Sequence, residues 1–224
     1  MEIIPNVHVI SGGFVNCYLI VDPDGLTLID TGLAGNAKRV LQYVEGLGRK
    51  PGDVKRIIIT HADGDHVGSL AALKAATGAR VYANAAEAEA IAAGRSSRDL
   101  KADNLLLKLV FAITGRLFRA SPAQVDELVT EGQVLPALGG LRVVETFGHT
   151  PGHISLFAPS AGILFVGDSL VSDKDGLRGS RGANTWDQDK ANAAVRKQAT
   201  LGAQVVCSGH GPVVMDAVGR FPQI

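Results

Sequence analysis

Apolar runs bounded by turn residues open the chain at 7–10, 17–21 and 26–30, the last two separated by Asp22-Pro23-Asp24-Gly25, the pattern of an antiparallel meander. Residues 36–47 then place Val40, Leu41, Val44 and Leu47 at helical spacing, and Gly46 and Gly48 end the helix. Residues 56–60 carry three consecutive isoleucines, as expected of a strand buried on both faces, and lead into a polar loop at 61–66. A helix over 67–77, a short strand at 80–82 and an alanine-rich helix over 84–93 follow. From 94 to 121 the rhythm changes to a helical insertion with a broad apolar face: Leu100, Leu105, Leu106, Leu109, Val110, Ile113 and Leu117. Strands return at 128–130, 141–147, 154–158 and 163–166, and a helix over 187–201 and a strand at 205–207 complete the pattern. Each half runs from strands through a helix to a strand that ends in a histidine loop. This predicts an α/β (α+β) chain, a four-layer αββα sandwich of two similar halves with their sheets face to face and helices outside.

The length of 224 residues fits one domain over 1–224, interrupted by the insertion. With 46% hydrophobic and 20% charged residues the chain can build a sizeable core, which excludes a disordered or low-complexity protein. Lys+Arg and Asp+Glu both number 22, so no global basic field exists to hold a nucleic acid. Cys17 and Cys207 cannot form a disulfide scaffold and read as buried thiols in a reducing compartment. Residues 1–13 lack the basic and apolar regions of an export signal. The most apolar window, 105–118, holds Lys108, Gly115 and Arg116 and falls short of the roughly 20 residues of a membrane span. The expectation is a soluble cytoplasmic protein with a small-molecule substrate and with neither nucleic acid nor membrane as partner.

Four of the six histidines, His61, His66, His149 and His210, share one context: a Gly- or Asp-rich loop, in three cases directly after an apolar strand. Strand ends of α/β folds converge on one edge, where ligands bind. With Asp63, Asp65 and Asp168 this edge would gather seven imidazole and carboxylate groups, a set that suits zinc, iron or manganese and argues against copper(I) or an iron–sulfur cluster. Cys207, inside an apolar run, reads as core rather than ligand. His8 and His153, on or beside strands, read as surface or supporting residues.

Thr60-His61-Ala62-Asp63-Gly64-Asp65-His66, Gly148-His149-Thr150-Pro151-Gly152-His153, Gly167-Asp168 and Ser208-Gly209-His210-Gly211-Pro212 resemble the successive motifs of the metallo-β-lactamase fold superfamily, and Leu28-Ile29-Asp30-Thr31-Gly32 is similar to its opening strand. The order is the family's, and the chain departs from the common H-x-H-x-D-H only in carrying Asp63 at the second histidine. The resemblance implies one divalent metal held by His61, Asp63 and His149 and a second by Asp65, His66 and His210. Asp168 would bridge them, a hydroxide would lie between them, and Asp65 would double as the catalytic residue that orients it. It also implies that Asp30 orients a metal-bound histidine, with a turn-forming role as the alternative. A one-metal site, with Asp63 bonded to a ligand instead of a metal, is the other reading. Three carboxylates and two divalent ions leave a formal +1, against +2 for histidine at 63, so iron or manganese compete better with zinc, which remains the first expectation.

The implied activity is a metal-dependent hydrolase of an ester, lactone, thioester or phosphoester. A glutathione thioesterase is disfavoured, since similar enzymes carry a further C-terminal helical region, and antibiotic hydrolysis is disfavoured by the lack of an export signal. The competing reading is a di-iron oxidoreductase of flavodiiron type working with a separate electron donor, because an acidic residue at position 63 resembles the H-x-E-x-D-H motif of those proteins. A binding or regulatory module that keeps the metals without turnover is a third. In the insertion, Arg95, Arg98, Lys101, Lys108, Arg116 and Arg119 outnumber Asp99 and Asp103. Solvated helix faces are the default for them. A substrate lid and self-association into a homodimer are the alternatives. The glycine-rich loop at 172–184 is a second candidate substrate wall.

Overall fold

The computed structural model describes residues 1–98 and 120–224. Most of the predicted helical insertion at 94–121 therefore lies outside the described residues. The first sheet has seven strands in chain order: β1 (Glu2–Ile4), β2 (Val7–Ser11), β3 (Asn16–Asp22), β4 (Gly25–Ile29), β5 (Val54–Ile58), β6 (Arg80–Ala83) and β7 (Glu127–Leu128). Pairing is antiparallel from β1 to β4 and parallel from β4 to β7. The second sheet runs β14-β11-β10-β9-β8, built from β8 (Val134–Leu135), β9 (Leu141–Glu145), β10 (Ile154–Ala158), β11 (Ile163–Gly167) and β14 (Val205–Ser208).

Side-chain alternation along the strands explains the layering. In β5 and the residue after it, Ile57 and Ile59 point into the core beneath α1 (Ala37–Gly46), α3 (Leu70–Thr77) and α4 (Ala85–Ala93), where they meet Val40, Val44, Leu70, Leu73 and Ile91. Ile58 points the other way, into the core between the sheets, with Tyr18, Ile29, Leu156, Phe165 and Cys207. All three isoleucines are fully buried, each contributing roughly 1.5–3 kcal/mol of transfer free energy. A third cluster packs Val195 of α5 (Gln188–Ala199) on Leu164, Val166 and Val206 of the second sheet. Helices, sheet, sheet and helix thus stack in the predicted αββα order.

Several elements depart from the sequence expectation. The helix predicted over 67–77 is two: α2 (Gly64–Val67) starts inside the histidine motif, and α3 follows after Ser69. Gly68 lies so close to the backbone of Leu33, Ala34 and Gly64 that a Cβ there would collide with all three. The predicted loop at 172–184 is partly a hairpin, β12 (Leu170–Asp173) with β13 (Gly176–Gly179), closed by Lys174 and Asp175. The strand expected at 128–130 is β7, one residue earlier, and β9 stops at Glu145 instead of 147. Among the described residues no helix is long and apolar enough to cross a membrane.

Candidate metal centre

β4, β5, β11 and β14 end on one edge, and the residues just beyond them are Asp30, His61, Asp168 and His210; the turn between β9 and β10 brings His149 to the same place. All seven sequence-predicted residues meet there. His61, Asp63 and His149 form one group with ligand atoms mutually within 4.8 Å, and Asp65, His66 and His210 form another. Asp168 stands between them: its Oδ1 is 3.2 Å from His66 Nε2, and its Oδ2 is 3.2 Å from His210 Nε2 and 3.7 Å from His149 Nε2. Gly209 permits this approach, since a Cβ at that position would run into Asp168 Oδ1 and His66 Cε1.

Each imidazole has its Nδ1 occupied on the side away from the centre. His66 Nδ1 lies 2.9 Å from Asp30 Oδ2 and His61 Nδ1 3.0 Å from Thr60 Oγ1, whose hydroxyl donates to Asp30 Oδ2. His149 Nδ1 is 2.8 Å from Ser180 Oγ, and His210 Nδ1–H donates to the Phe14 carbonyl at 2.8 Å. With Nδ1 as the donor, Nε2 is the nitrogen each neutral imidazole would offer inward to a metal, the tautomer a metal-binding histidine needs. Asp30 is held with φ at 57°, an uncommon conformation for a side chain, by the bonds it accepts from Thr60 N–H, the Thr60 hydroxyl and His66. Orientation of a histidine, not turn formation alone, is therefore its role in this structure.

The donor set also fits a cation on electrostatic grounds. His61 Nε2, His66 Nε2 and Asp168 Oδ1 are buried without a hydrogen-bond partner among the described residues, although such groups are costly to leave unpaired. In the metal-free protein, burial disfavours the charged form of His66, but the carboxylates of Asp168 and Asp30 outweigh it and hold its pKa well above the ordinary value. For His210 burial is likewise overcome, by hydrogen bonding to Asp168 and Asp65, and the pKa is pushed up to about 10. Burial opposes ionisation of Asp63 and Asp168, yet the surrounding imidazoles, and for Asp63 also Arg98, hold both well below the usual carboxylate range. These shifts favour the anionic form of both carboxylates, the form that binds a cation.

Three further residues back the candidate ligands. His153 is completely buried, accepts the Asp168 N–H at 3.0 Å and lies 2.9 Å from Thr146 Oγ1, so it supports Asp168 and is not a surface residue. Burial, with the nearby His61 and His149, keeps its pKa well below the ordinary value. Arg98, grouped with the solvated cations, has a side chain only 4% exposed that pairs with Asp63 Oδ2 and lies 3.2 Å from His149 Nε2, while Ser96 donates to Asp63 Oδ1 at 2.7 Å. Glu87, which no sequence motif marks, is fully buried against the loops that carry His61 and His149. Cys207 sits in the core between the sheets as expected, and His8 bonds the Tyr43 hydroxyl away from the cluster.

The description "Metallo-beta-lactamase superfamily" matches this chain over residues 10–210, a span that includes every candidate ligand. The chain belongs to that superfamily. It is 24% identical to the probable metallo-hydrolase YflN of Bacillus subtilis (strain 168), over 94% of this chain and 85% of YflN. It is 30% identical to the hydroxyacylglutathione hydrolase of Rhodobacter capsulatus, over 87% of this chain and 62% of that enzyme. The crystal structure of the metallo-beta-lactamase family protein TTHA1429 from Thermus thermophilus superposes with a TM-score of 0.74 at 24% identity, covering 97% of this chain and 77% of that one. The superfamily fold is thereby established for this chain, and membership with these relatives supports a metal-dependent hydrolase in general terms.

Proposed function

We propose that this chain is a two-metal hydrolase of a small ester, lactone, thioester or phosphoester. The observation that carries this reading is the convergence of four Nε2 atoms on three carboxylates, with every Nδ1 bonded outward. His61, Asp63 and His149 would hold one ion, Asp65, His66 and His210 the other, and Asp168 both. Zinc is the first choice, and the carboxylate at 63 keeps manganese and iron as alternatives. Two such ions supply Lewis acidity to the scissile carbonyl or phosphoryl group and acidify an attacking water. Asp65 would orient that water, and His153 would hold Asp168 in place by accepting the Asp168 backbone N–H. Arg98 adds one positive charge beside Asp63, returning the site to the formal charge it would have with histidine at 63. The match to the Rhodobacter enzyme covers 62% of its length, so its substrate does not transfer with the match.

Elemental analysis of protein purified without added metal, with an absorption spectrum and a panel of neutral esters, thioesters and phosphodiesters, tests the proposal. Two zinc or manganese ions per chain with hydrolysis of one class support it. Two redox-active irons and no hydrolysis would support the oxidoreductase instead. Asp168→Ala should lose both ions and activity together, because this carboxylate faces both groups.

A further inference from the structure

Glu87 occupies the third position of α4, behind the cap residue Asn84, whose side chain accepts from Ala86 N–H at 3.1 Å. A glutamate there ordinarily reaches back to the cap amide. This one turns away and is fully buried. Its Oε2 accepts from Ala62 N–H at 2.7 Å and from the Ser97 hydroxyl at 2.8 Å. Its Oε1 accepts from the Thr150 hydroxyl and from Gly152 N–H, both at 2.8 Å. Ala62 lies between His61 and Asp63, while Thr150 and Gly152 follow His149, so the segments joined are those that carry the first group of candidate ligands. The loop is shaped for this contact: a Cβ on Gly152 would strike Asn84 Oδ1, Ala86 Cβ and Glu87 Cγ. No such bond reaches the Asp65, His66 and His210 segments among the described residues.

We infer that Glu87 is a positioning residue for the first metal group alone: one buried carboxylate bolts the His61–Asp63 loop to the His149 loop and sets the spacing of the three ligand atoms. Charge-assisted bonds from backbone amides to a buried carboxylate are strong and directional, which suits a fixed spacing better than a mobile one. An amide in place of the carboxylate would turn an N–H toward either Ala62 N–H or Gly152 N–H, so one loop would lose its anchor whichever way the new side chain were oriented. A role confined to stability would instead lower the melting temperature without distinguishing between the two groups of ligands.

The inference rests on the two-metal reading, and the test separates the two. Chelator-stripped protein is titrated with Co2+, following heat and the visible d–d bands, in the wild type, Glu87→Gln and Val195→Ala, the last a cavity in the core under α5. Two ions in the wild type, with one of them binding about 10–100-fold more weakly and with an altered band in Glu87→Gln, are expected. The second ion should keep its wild-type affinity and spectrum, and Val195→Ala should keep both. Equal retention or equal weakening of the two ions in Glu87→Gln would overturn the inference and leave the two-metal reading intact. Fewer than two ions in the wild type would overturn both. If Glu87→Gln does not fold, Thr150→Val, which removes one donor and keeps the carboxylate, is judged by the same criterion with a smaller shift.

Discussion

Arg98 and Asp63 form a pair in which each charge depends on the other. The Arg98 side chain is 4% exposed and that of Asp63 16%, so removing either leaves an ion with little water to replace its partner. Asp63→His, which restores the common motif, should therefore not be neutral in the stripped protein: unpairing a charge in such surroundings costs about 3 kcal/mol or more. Asp63→His combined with Arg98→Leu should be more stable than Asp63→His alone, and urea unfolding of the four proteins of that cycle measures the coupling. At this scale the seven candidate ligands are legible in the sequence because four short motifs carry them in local order. Arg98, Glu87 and Ser180 are not, because each acquires its role from segments distant in sequence, whereas His153 stands in the His149 motif and reads as a supporting residue. The chain order around Glu87 describes only a helix start, and that around Arg98 only one more cation among several.

At the scale of elements, the two-residue strand β7 illustrates how little pairing can be enough when a side chain helps. Asp126, just before it, donates its N–H to the Val81 carbonyl at 2.9 Å and accepts the Val81 N–H at 2.8 Å and the Lys74 ammonium at 2.7 Å. Burial would raise the Asp126 pKa, but the bonds from Lys74 and Val81 lower it on balance. A depressed carboxylate pKa stabilises the fold above the unfolded value and loses that contribution as pH falls through the folded one. Asp126→Asn should thus cost under about 1 kcal/mol at pH 7, given its partial exposure, and the difference from wild type should shrink toward pH 3 in urea unfolding curves. Continuous apolar runs, as expected of strands buried on both faces, make the central strands legible. The hairpin of β12 and β13 is hidden by its glycines, and the break between α2 and α3 by a helical periodicity that runs on past it; the backbone leaves the helical region at Ser69, beside Gly68, whose missing Cβ gives room to Leu33 and Ala34, a contact no local pattern records.

In the whole molecule, each group of candidate ligands is drawn from both halves of the chain: His61 and Asp63 with His149, and Asp65 and His66 with His210. Stripping the metals should therefore lower the melting temperature of the entire fold, and the loss should depend on pH. In the stripped protein the raised pKa values of His66 and His210 stabilise the fold below about pH 6.5; the His210 contribution ceases as pH rises through about 10, and that of His66 is likewise lost as pH rises through its own raised value. Differential scanning calorimetry from pH 6 to 10 should show the stripped protein losing stability across that window while the loaded protein, whose histidines would be neutral ligands under the proposed reading, changes less. The division of ligands has a further consequence for the chain's connectivity. Two polypeptides obtained by cutting within 99–119 would each hold only part of either group, so their affinity for one another should rise steeply when zinc is added. Size-exclusion chromatography of the mixed fragments, with and without zinc, would read that difference directly and would turn a hydrolase centre into a metal-operated fastener.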